Sequence, residues 1–155
     1  MLSQYQGEKY VFVFGKKEMP LTIDWRIAMI AAIYPDYHVI DGSRVSKEGI
    51  YGAIKWIYNN HPGCNLFLVG GTGKSENNEG SSFNELSRCL ENLKPEVSFN
   101  NHVIFGNPRG NVSGTWFRRM AKDPRVSPEY MSQFLHSKLS EDQKMTIIQE
   151  LRHAQ

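Results

Sequence analysis

The segment Asn65-Leu66-Phe67-Leu68-Val69 constrains the fold of this chain more than any other. It is fully apolar after its first residue and runs straight into Gly70-Gly71. That pattern suits a central strand of a parallel sheet, covered on both faces. Three further runs read as strands: Tyr10-Val11-Phe12-Val13-Phe14, closed by Gly15; Tyr37-His38-Val39-Ile40; and Asn101 to Phe105, closed by Gly106-Asn107-Pro108-Arg109-Gly110.

Helical patterns fill the intervals. Thr22 is placed to cap a helix with Trp25 at its third position, and Ile27, Ile30, Ala31 and Tyr34 then repeat at helical spacing up to the stop at Pro35-Asp36. Ser46 is placed to cap a helix through Ile50, Ala53, Ile54 and Ile57, ended by His61-Pro62-Gly63. Phe83 to Leu93 reads as a third helix. Pro128 to Arg152 is helical in pattern, and Ser140-Glu141-Asp142-Gln143 forms a capping box. Strands alternating with helices predict an α/β fold with a mostly parallel sheet. The expected organisation is one domain, with residues 10–126 as the α/β core and 127–155 as a C-terminal helical tail.

Composition narrows the functional classes. The 155 residues suffice for one domain with a real core. A formal net charge of +2 is too small to predict a nucleic-acid coat or a membrane surface, so any basic function is local. The polar start, Met1 to Lys9, has no apolar signal core, and no run approaches the roughly 18 apolar residues that span a bilayer. Cys64 and Cys89 match no metal spacing and no disulfide framework, so both are expected to pack as small hydrophobes in a reducing cytoplasm.

The polar stretches after the strands carry the candidate chemistry. Val112-Ser113-Gly114-Thr115-Trp116-Phe117-Arg118 opens a helix with a small, hydroxyl-bearing turn. Arg118, Arg119 and Lys122 fall in its first two to three turns. A helix start carries positive partial charge and unpaired N–H groups, so cations there call for an anion. A phosphate site is the expectation, and a nucleotide its natural source. Ligands of parallel sheets sit at the carboxyl ends of the strands, and the loops 70–81 and 106–113 both leave strands directly.

Gly70-Gly71-Thr72-Gly73-Lys74-Ser75 looks like a P-loop but lacks its first glycine, since Leu68 stands there. His38, His61, His102, His136 and His153 form no pair at metal-ligand spacing, and no metal site is expected.

Val112-Ser113-Gly114-Thr115-x-x-Arg118 resembles the Ile-Ser-x-Thr-x-x-Arg signature of the nucleotidyltransferase superfamily that includes adenylyl- and cytidylyltransferases. Lys16-Lys17-Glu18-Met19-Pro20-Leu21-Thr22 is similar to a segment after the second strand in phage-type members, and Leu66 to Gly70 to their Val-Val-Gly strand end. The likeness runs from about Tyr10 to the C-terminus, and the Ser-Gly-Thr-x-x-Arg element is its specific part. It implies a Rossmann-like three-layer sandwich. It also implies nucleotide phosphate held by Ser113, Gly114, Thr115, Arg118 and Lys122, with Gly70 at a neighbouring strand end.

Two departures bear on catalysis. The family's first strand and its His-x-Gly-His helix start are expected upstream of Tyr10, and no His-x-Gly-His occurs in the chain. The family's Gly-x-Asp is absent after Gly70. The resemblance therefore implies a degenerate, nucleotide-binding or structural subunit in host cytoplasm or virion, with an edge open to a second copy or a partner protein. One alternative is an active adenylyl- or cytidylyltransferase using Mg²⁺ with a nucleoside triphosphate, in which Lys16 or Lys17 or another chain replaces the histidines. The other comes from Glu79-Gly80-Ser81-Ser82-Phe83-Asn84-Glu85, which resembles an element of nucleoside deoxyribosyltransferases and implies Glu85 as nucleophile.

Overall fold

The computed structural model describes residues 6–15, 21–45, 47–71, 82–94, 96–99, 101–107 and 114–154. These residues are mixed helix and parallel strand, as the alternation predicts. The chain divides into two compact units.

The first unit is built on β3 (Asn65–Gly71) and β4 (Asn101–Asn107), which pair in parallel with Asn65 opposite Asn101 and Gly71 opposite Asn107. The helix α4 (Ser82–Leu93) lies between them in sequence and packs on both, as a parallel crossover requires. Its Cys89, Leu90 and Leu93 form a core with Leu66 of β3 and with Ile54 of α3 (Ile50–Asn60). Leu68 and Ile104, at even spacing from Leu66 and opposite each other, pack against the same cluster. The odd positions face the other way. Phe67 and Val103 sit opposite each other and are 49% and 41% exposed. One face of this strand thus meets the core, and cover on the other face is only partial among the described residues, with Val69 and Phe105 half-buried.

α3 does not start where Ser46 suggests. A short helix α2 (Gly42–Val45) comes first, and α3 begins after Gly49, whose φ of 62° lies in the left-handed region. No side chain caps this start, and the Ala53 amide bonds the Gly49 carbonyl at 3.1 Å. Glycine permits the sharp entry that a serine cap would not give. Ser46 itself lies outside the described residues. His61 ends the helix as expected.

The second unit holds β1 (Tyr10–Val13), α1 (Ile23–Ile33) and β2 (His38–Asp41), with β1 and β2 parallel and Tyr10 opposite His38. The Thr22 side chain accepts from the Trp25 amide at 3.2 Å, so the predicted cap is present. The inward face of α1 centres on Met29, whereas Ala31 is exposed.

The same unit contains α5 (Gly114–Ala121), α6 (Pro128–Ser132) and α7 (Glu141–His153). Phe117 and Ala121 of α5, Met131 of α6, and Ile148 and Leu151 of α7 make its core. The capping box at Ser140 forms in full, with Gln143 bonding back to the Ser140 amide at 2.8 Å. The segment from Pro128 is interrupted by turns between Ser132 and Ser140. Lys138 ties these turns to α1 by donating to the Ile33 carbonyl at 3.0 Å.

Cys89 is buried, as expected, and Cys64 is half-buried; both are free thiols. Among the described residues, no helix is long and apolar enough to cross a membrane.

Candidate functional site

The helix expected after the phosphate turn is α5, described from Gly114 to Ala121. Ser113, Lys16 and Lys17 lie outside the described residues, as do Lys74 and Ser75 of the P-loop-like sequence. Phe117 and Ala121 turn inward, Trp116 and Met120 flank them, and Arg118, Arg119 and Lys122 are exposed. This division follows from 100° per residue. Positions 118, 119 and 122 fall away from the arc of Phe117 and Ala121, so the unit's core fixes which face of α5 is cationic.

The length of α5 changes its electrostatics. It has only 8 residues, and Arg118 and Arg119 stand in its last turn, with Lys122 just beyond. Cations at a helix C-terminus are stabilised by the macrodipole. The placement of these three residues therefore calls for no anion, and the charge argument made from sequence is corrected. Reach remains. Arg118 lies about 6 Å along the axis from Gly114, and helical side chains lean toward the N-terminus, so its guanidinium can attend an anion held at the start.

Gly70 belongs to the first unit. It is buried near the end of β3, with Gly106 opposite it on β4. The carboxyl ends of these strands stand level, at Gly71 and Asn107. The two strands therefore end at one edge of this sheet, and the rest of the loops after them, 72–81 and 108–113, lies outside the described residues.

Glu85 occupies the first turn of α4 and is exposed. A carboxylate there is stabilised by the helix start, which accounts for its position without a catalytic role. Among the described residues no group of three or more His, Cys, Asp and Glu is gathered for a metal. His38 bonds Glu8 at 2.7 Å and stacks on Tyr10, an arrangement made by the parallel pairing of β1 and β2.

Arg26 has no site role in the sequence pattern. Its Nη1 donates to the carbonyl of Phe14 at 3.1 Å, just past the carboxyl end of β1, while its buried Nε has no hydrogen-bond partner among the described residues. The contact joins residues twelve apart in the chain, and no local motif announces it. Compared with known protein families, curated proteins and solved structures, the chain matches none.

Proposed function

We propose that this chain is a nucleotidyltransferase-like protein that binds the phosphates of a nucleotide at the turn opening α5. The reading is supported by α5 (Gly114–Ala121), a helix over the Gly-Thr-x-x-Arg part of the motif, with Arg118 on it and Lys122 just past its end both exposed; the resemblance implies that the helix starts at this motif. Backbone N–H groups at such a start are unpaired within the helix and suit phosphate oxygens. The Ser113 and Thr115 hydroxyls add donors, and Arg118 and Lys122 on the solvent face add charge.

A Rossmann-like three-layer sandwich belongs to the same reading. Each unit contains a parallel strand pair joined through a helix, the repeating element of that fold.

The proposed role is binding or structural, in cytoplasm or in a virion. A strand followed by a helix start does open the described structure, at β1 and α1. That start reads Thr22-Ile23-Asp24-Trp25 and carries no imidazole. Phosphoryl transfer depends on positioned charge at the reacting phosphorus, and the histidine half of that charge is missing. Mg²⁺ would arrive with a triphosphate and be held by phosphate oxygens and water, since no protein ligand cluster stands among the described residues. A binding role also allows a second copy or a partner protein at a free sheet edge.

Titrating Mg·ATP and Mg·CTP into the full chain by calorimetry tests this reading. Saturable binding of one of them, weakened about tenfold or more by Arg118→Ala, is expected. Absence of binding, or equal binding by the variant, overturns it. Pyrophosphate release with a phosphorylated acceptor would instead identify an active transferase, and base release from nucleosides lost in Glu85→Ala would identify the glycosyl-transfer alternative.

A further inference from the structure

We propose that the surface running from Arg119 and Lys122, at the end of α5, to Tyr130 of α6 docks single-stranded nucleic acid, an assignment that does not rest on a nucleotide held at the start of α5. Between residues 118 and 130 the sequence sets four cations, Arg118, Arg119, Lys122 and Arg125, against two acids, Asp123 and Glu129. Arg125 closes on Asp123 at 2.9 Å. Arg119 and Lys122 are exposed, and among the described residues neither enters an ion pair. Standing three residues apart, they are neighbours on the helix surface. The macrodipole accounts for their place but leaves their outward charge unneutralised. A phosphodiester backbone complements such a row of charge. The formal net charge of +2 confines the patch to this segment rather than spreading it over the chain.

Charge alone fits an acidic peptide equally well, and the aromatic side chain beside it selects the polymer that carries bases. Tyr130 is 50% exposed. Its place is fixed from both sides. The Tyr130 amide donates to the Ser127 hydroxyl at 3.2 Å, and the next residue, Met131, is buried in the core beneath α5. The Tyr130 ring meets Phe134 edge to face at 5.4 Å, and Phe134 meets Trp116 in the same manner at 5.1 Å. Trp116 lies three residues before Arg119 and so adjoins it on α5. A continuous row of rings thus links the exposed tyrosine to the cationic arc. A ring held by its neighbours with half its surface open is a platform on which a base can stack. Glu129, the acid beside it, stands in the first turn of α6, where the helix start stabilises it. A duplex hides the faces of its bases, so the ring selects a single strand.

Fluorescence anisotropy of labelled oligo-dT and oligo-U, titrated with the full chain, tests the proposal. Saturable binding is expected, and it should weaken as salt is raised. Tyr130→Ala is expected to bind about tenfold more weakly, and Tyr130→Phe, which keeps the ring, to bind as wild type does. Arg119→Ala is expected to reduce the slope of log affinity against log salt by about 0.7, the share of one phosphate contact on a single strand. Neither residue belongs to the nucleotide site proposed at the start of α5, so the strand should bind even if Mg·ATP and Mg·CTP do not. No saturable binding, undiminished binding by Tyr130→Ala, an unchanged salt slope in Arg119→Ala, or equal affinity for a duplex overturns the proposal. Displacement of the strand by polyglutamate as readily as by unlabelled strand would make this an acidic-protein surface and overturns it too.

Discussion

Arg152, near the end of α7, donates its Nε to the carbonyl of Ala121, the last residue of α5, at 2.8 Å. Its Nη2 reaches the Val126 carbonyl at the same distance. One guanidinium thus holds the C-terminus of α5 and the turn after it against the final helix. Arg152→Ala leaves two carbonyls short of a strong donor and is expected to lower stability by about 2–3 kcal/mol in urea unfolding at neutral pH. Arg152→Lys recovers only part of this, because an ammonium cannot span both carbonyls in a planar fork.

The core beneath α5 depends on its two largest fully buried side chains, Met131 and Ile148. Met131→Ala is expected to cost about 2–5 kcal/mol and Ile148→Val about 0.5–1.5 kcal/mol. Chemical denaturation of both variants checks the order. Equal small losses would contradict the packing of α6 and α7 on α5.

Asp123 and Arg125 form a two-residue clamp in the turn after α5. Arg125 donates from its backbone N, Nε and Nη2 to the Asp123 carboxylate at 2.9–3.0 Å. These bonds lower the Asp123 pKa from 3.8 to about 2. A folded-state pKa below the unfolded one gives stability that is complete above pH 3.8 and is lost as pH falls toward 2. Urea midpoints of wild type and Asp123→Asn should therefore differ at neutral pH and converge as the pH falls from about 4 to about 2.

The macrodipole's effect on the cations of α5 is measurable without a ligand. Arg119→Glu places an acid in the last turn and is expected to destabilise the chain by no more than about 1 kcal/mol in thermal unfolding. Stabilisation by this change would mean that the arginine is disfavoured where it stands.

Local chemistry was legible in the sequence and long-range pairing was not. Thr22, Ser140 and Gln143 announce helix starts because a cap needs only residues three apart. The strand from Asn65 was legible from its apolar run, but the exposure of Phe67 depends on what covers the sheet, which no run of residues encodes. The cationic turn at Arg118 misled in one respect. Its meaning depends on where α5 stops, and Ala121 ends the helix after two turns. The bonds of Arg26 to Phe14 and of Arg152 to Ala121 arise only once strands and helices are packed, so composition and spacing are silent about them.

The central claim is that phosphate binds at the start of α5, and backbone amide NMR tests it most directly. In a titration of the full chain with Mg·ATP or Mg·CTP, the amides of Gly114 and Thr115 should show the largest shifts and saturate together. No saturable shift at those amides, or shifts confined to other segments, would contradict it.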